Sequence, residues 1–241
     1  MTVGAAEEQA LINKIHSTVA RINTKTSELQ NNINNKMGWL PGPLQDKVLE
    51  GWNKFTGFLR ECWDALAEIF TNMGSPSTLW STADSWSNNV GGPVSAQVQS
   101  AKVGTLATDD RWDGTAAERY RQNLPLQETA LDKMKSVYSD GVSSALSDVA
   151  KGIIAFWGAL IVALGALVAG IIGAVTSSAT IFGLPAAPFI AAAAALVAVG
   201  AFYSGGLILK SVCSSANSTL RQKLNDNTGY REGHWPSATT A

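Results

Sequence analysis

The side chains that could do chemistry are few and far apart. His16 and His234 are the two histidines of the chain, so neither a histidine-based triad nor a multi-histidine metal site has material. Both read as solvated surface residues. Asp109, Asp110 and Asp113 form the densest acidic cluster and could suggest a cation site. They immediately precede a helical pattern, however, where carboxylates cap the helix and interact with its positive end, and that simpler reading is taken. Cys62 and Cys213 share no CxxC spacing and read as two thiols, with one long-range disulfide as the alternative. No Gly-x-Ser-x-Gly elbow, phosphate-binding Gly-x-x-x-x-Gly-Lys-Ser/Thr loop or Gly-x-Gly-x-x-Gly turn occurs. The chain is therefore expected to be no enzyme, with no cofactor, no metal and no small-molecule substrate. Of its 8 tryptophans, Trp52, Trp63 and Trp86 lie on or beside apolar seams. Trp39, in a turn, and Trp86 are the candidate partner-binding residues.

The charges are unevenly placed. Eighteen Lys+Arg and 19 Asp+Glu make 15% of 241 residues, against about 25% in a typical soluble domain. None of them, and no histidine, falls in the 58 residues Gly152–Leu209. The net charge of −1 gives no field that would steer the chain to nucleic acid. Gly152–Val175 would extend about 36 Å as a helix against about 30 Å of bilayer hydrocarbon. A polar break at Thr176–Thr180 and a second apolar run, Ile181–Leu209, complete a hydrophobic helical hairpin of transmembrane type. Small residues recur four apart at Ala155/Ala159/Ala163, Ala169/Gly173, Gly200/Ser204 and Ala201/Gly205, a spacing that lets backbones approach in lipid. Trp157, Ala169, Gly173, Gly200 and Ser204 are the candidate membrane-insertion residues. Lys151 and Lys210 bracket the block, which would leave both ends cytoplasmic if the cell's own machinery inserted it. The alternative is that these are the buried central helices of a soluble bundle.

The rest is heptad-patterned helix. Leu11, Ile15, Val19, Ile22, Thr26, Leu29 and Ile33 form one stripe, which Gly38-Trp39-Leu40-Pro41-Gly42-Pro43 ends. Val48, Trp52, Phe55, Leu59, Cys62, Leu66 and Ile69 form a second, so residues 1–73 read as an αα-hairpin. Pro76 opens a third helix with a seam of Leu79, Ala83, Trp86 and Val90, broken at Gly91-Gly92-Pro93. A fourth runs from about 115 to 150, and Pro125 should kink it. The fold class is all-α: an elongated antiparallel bundle of two helical hairpins, 1–73 and 74–150, the hydrophobic hairpin 151–210, and a polar tail 211–241. The tail is expected to begin as a helical extension and end disordered.

Trp112-Asp113-Gly114-Thr115-Ala116-Ala117-Glu118-Arg119-Tyr120, between two heptad helices, resembles the WXG family of small helical-hairpin proteins handled by actinobacterial type VII (ESX) secretion systems. The resemblance implies that Trp112 and Gly114 sit in the turn between antiparallel helices, with Tyr120 on the seam of the second. It implies a secretion-associated protein with a WXG-like partner or a second copy of itself. One feature departs from the family: no tyrosine is followed four residues on by Asp or Glu, the export signal such pairs carry. Met1–Gln9 carries Glu7 and Glu8 and does not read as a cleaved signal peptide. The expectation is a protein that inserts its hairpin into a membrane, as an oligomer or pore, either secreted or retained in the producer's membrane. Its rivals are a resident membrane anchor, adaptor or chaperone for a secretion partner, and a soluble structural bundle.

Overall fold

Long apolar stripes separated by proline- and glycine-rich punctuation yield helices alone. The computed structural model describes residues 4–72, 74–102, 104–105, 111–230 and 232–238, and among them there is no β-strand. The helices are α1 (Ala5–Lys36), α2 (Gly42–Asn72), α3 (Pro76–Ser85), α4 (Gly92–Ser100), α5 (Thr115–Lys133), α6 (Asp140–Ser178) and α7 (Ala187–Leu224). Two π-helical segments, Trp86–Gly91 and Met134–Ser139, join α3 to α4 and α5 to α6. The chain forms two compact units, residues 1–75 with 152–211, and 76–151 with 212–241. It passes between them at Ser75/Pro76, within α6 and within α7.

In the first unit, α1 buries Ile15, Ile22, Leu29 and Ile33, and α2 buries Val48, Phe55, Leu59, Cys62 and Leu66. These are the stripes legible in the sequence; Leu11, Val19, Thr26, Trp52 and Ile69 lie half-buried at their margins. Each fully buried Ile, Leu or Phe contributes about 1.5–3 kcal/mol, so the two stripes hold the helices together. A 3-10 turn at Met37–Trp39 and buried Leu40 close the α1–α2 connection. The break expected at Thr176–Thr180 begins later, because α6 continues to Ser178. The Thr176 hydroxyl donates to Ile172 O (3.0 Å) and that of Ser178 to Val175 O (2.7 Å), which lets the helix absorb its polar residues.

In the second unit the third seam differs in phase from the sequence reading. Pro76, Trp80, Ala83 and Gly91 are buried, whereas Leu79 is half-buried and Trp86 is exposed. The covered face already departs from the expected one within α3, upstream of the π segment that begins at Trp86 and continues the helix. That segment also corrects the break expected at Gly91-Gly92-Pro93. The helix continues there because Gly92 N–H bonds to Ser87 O, five residues back, and the wider turn accommodates the proline's missing donor. Ser139, fully buried on the second π segment, donates from its hydroxyl to Trp86 O at 2.8 Å. Likewise α5 runs through Pro125. The tail is helical to Leu224, and 225–230 and 232–238 then lie back against α5. Tyr230 OH donates to Ala130 O (3.1 Å), Lys133 pairs with Asp226 (3.4 Å), and the Tyr230 ring stands beside those of Tyr138 and Trp235.

Candidate functional site

The charge-free hairpin has two apolar faces, and the first unit covers one of them. Ile153, Phe156, Trp157, Leu160, Leu164, Leu167 and Ile171 of α6 are buried, as are Ala191, Ala195, Ala198 and Phe202 of α7. The arms meet closely at Gly170, where an added Cβ would lie 2.2 Å from Ala194 Cβ. Only a hydrogen fits there. On the cover side, Gly51 of α2 lies against Pro188 and Phe189, and the Cys62 thiol donates to Ala195 O at 3.8 Å. Residue numbers rise together along these contacts, so α2 runs parallel to α7.

Among the described residues nothing covers the opposite face. Val162 is 73% exposed and Leu207 69%, and Ile190, Leu196, Val197, Tyr203 and Ile208 are also exposed. An apolar face of this kind on a soluble protein marks an interaction surface. Four of the residues singled out for insertion, Ala169, Gly173, Gly200 and Ser204, lie on this open face, while Trp157 is buried in the core. The Ser204 hydroxyl is satisfied internally by Gly200 O at 2.8 Å, leaving the surface without an unmet donor there. The α5–α6 run, Thr115–Ser178, and α7 are both long and apolar enough to cross a membrane.

The hairpin tip is tied to the cover by polar groups. Lys36, at the end of α1, donates from Nζ to Ser178 O (2.7 Å) and Ala179 O (2.8 Å), and Asn32 Nδ2 donates to Ser178 Oγ (3.0 Å). These carbonyls end α6, where they lack intrahelical partners and carry the negative end of the helix dipole. A cation is the complementary cap. The turn itself is self-bonded, Ser177 Oγ donating to Gly183 O (3.0 Å) and Gly183 N–H to Thr180 Oγ1 (3.0 Å). Beyond these bonds Phe182 is 98% exposed, and Trp39, in the α1–α2 turn three residues from Lys36, is 75% exposed.

In the second unit Trp112 and Gly114 lie in the connection that precedes α5. The Trp112 ring packs on Tyr120 at 5.6 Å between centroids, and Arg121 Nη2 donates to Trp112 O at 2.8 Å. Gly114 occupies the N-cap with φ 102° and ψ 174°, a conformation essentially confined to glycine. The N-cap residue is thus Gly114 and not Asp113, which stands one residue outside the cap. Asp109 and Asp110 lie outside the described residues.

Cys62 and Cys213 are free thiols, buried and exposed respectively, so the disulfide alternative is not realised. Burial, and secondarily the neighbouring Glu61 carboxylate, pushes the Cys62 thiol up to about 11. Thr26 Oγ1, in the α1 stripe, is buried without a hydrogen-bond partner. Sequence reasoning missed both this orphan and the Lys36 cap. A threonine in a heptad stripe was a visible signal for the first; nothing local linked Lys36 to a helix end more than 140 residues away.

No protein-family model, curated protein or solved structure matches the chain.

Proposed function

We propose that this is a non-enzymatic membrane-inserting protein whose hydrophobic hairpin is held against a soluble cover and released into a bilayer. One observation carries the reading: the α6–α7 hairpin is apolar on both faces, yet only its inner face is covered. A purely soluble bundle would leave its outer face polar. The cover cannot follow the hairpin into lipid, because α1 alone carries Glu7, Glu8, Lys14, Arg21, Lys25, Glu28 and Lys36. Each charge at bilayer depth would cost about 2.5–3.5 kcal/mol. Insertion therefore requires the cover to separate from the hairpin. Inserted copies then associate through the small residues of the open face, Ala169, Gly173, Gly200 and Ser204.

The route to the membrane is proposed to be secretion-associated, in the manner of WXG proteins. Support for this is the Trp112–Tyr120 run and its place at a turn between helices. The second reading, a resident anchor or adaptor with both ends cytoplasmic, is favoured by Lys151 and Lys210 at the two ends of the block.

Flotation with phospholipid vesicles and release of a trapped dye test insertion. Val197→Asp and Leu207→Asp change residues already exposed and should leave the fold intact while abolishing both signals. Variants that float and leak like the unmodified protein would sink the reading. Fractionating producer cells into medium, soluble and membrane pools separates the two routes.

A further inference from the structure

A groove of about 510 Å³ runs between α2 and α7 in the first unit. Its apolar lining is Ala65 and Ile69 from α2 and Phe202, Gly206, Leu207 and Leu209 from α7. It is open at Gly206, where a Cβ would meet no atom within 4 Å. The polar residues of the lining are Glu68 and Asn72 on α2 and Tyr203 and Lys210 on α7. Because the two helices run parallel, Asn72 and Lys210 close the same end. Lys210 is also the first charged residue after the 58-residue block. The groove belongs to the covered state, because insertion as read above parts α2 from α7.

We propose that this groove holds one acyl chain of a zwitterionic phospholipid, with the head phosphate against Lys210 and Asn72 and the head ammonium toward Glu68. The inference rests on the membrane reading above. Three features select this occupant. The lining is mostly apolar, so most of the backbone of an extended peptide would be buried unsatisfied along it. The volume lies in the range of small-ligand sites, about 300–1,000 Å³. Opposite charges at the groove's margins complement a head that carries both signs.

The probe is lysophosphatidylethanolamine titrated into the purified full chain, with bound equivalents counted by native mass spectrometry. One equivalent is expected. Gly206→Leu, which fills the groove without backbone strain, should weaken binding about tenfold. Lys210→Gln should weaken it about threefold. Gly57→Leu, on α2 outside the groove with equally free space around its Cβ, should bind as the unmodified protein does. Equal affinity in Gly206→Leu or in Lys210→Gln overturns the proposal, as do several equivalents bound alike by all variants. Vesicle flotation of Gly206→Leu separates the two readings. Protein that floats but takes up lysolipid with unmodified affinity refutes the groove alone, whereas failure of the unmodified protein to float refutes insertion.

Discussion

Replacing Lys36 with Met should loosen the cover from the hairpin tip without touching either apolar core. Lys36 Nζ makes two bonds, to Ser178 O at 2.7 Å and Ala179 O at 2.8 Å, one part-buried and one exposed. Hydrogen bonds from a charged group contribute about 1.5–3 kcal/mol when shielded, and exposure reduces this. A net loss of about 1–2 kcal/mol is expected for the pair. The covered state alone contains these bonds, so their loss raises the population of released hairpin by about 5–30-fold. Dye release from vesicles should accelerate by that factor. Lys36→Arg, which keeps a cation at the helix end, should lie between the two, and Lys47→Met, an exposed lysine on α2, should change nothing. A Lys36→Met protein with unchanged thermal stability and leakage rate would refute the argument. So would an equal acceleration in Lys47→Met, because the effect would then be one of net charge.

The opposite effect is expected of Thr26→Val, which removes a buried hydroxyl that lacks a partner: about 1 kcal/mol of added stability in urea unfolding, and slower leakage. Gly114→Ala forces an alanine to φ 102°, at a cost of about 1–3 kcal/mol, which should appear as faster amide exchange at the start of α5 and leave the first unit unaffected. For Cys62, the folded thiol at about 11 lies above its free value of 9.0, so the unfolded chain ionises first. Stability is full below about pH 9 and falls as the pH rises toward 11, a loss that Cys62→Ala should abolish in alkaline denaturation curves.

The helices and the apolar stripes of α1 and α2 were legible because heptad spacing and Gly/Pro punctuation are local signals. Ile15, Ile22, Leu29, Phe55 and Cys62 all fall where that spacing places them. The seam of α3 was not, because apolar and small residues occur on more than one of its faces and periodicity alone does not choose which is covered. Trp80 enters the core and Trp86 stays exposed. Composition revealed the hairpin but not which of its faces would be covered. Its small residues occur on both faces, and Gly170 meets the other arm while Ala169 and Gly173 face outward. The Lys36 cap is a long-range contact between a helix end and a lysine on another helix, which periodicity does not encode.

Separation of cover and hairpin is the central claim, and Cys62 reports on it. Its thiol is buried against Ala195 O in the covered state, while Cys213 is exposed. In a Cys213→Ser chain, Cys62 is the one remaining thiol. It should resist a water-soluble maleimide in buffer and become modified on addition of phospholipid vesicles, in step with flotation. Protein that floats and releases dye while Cys62 stays protected would contradict the account.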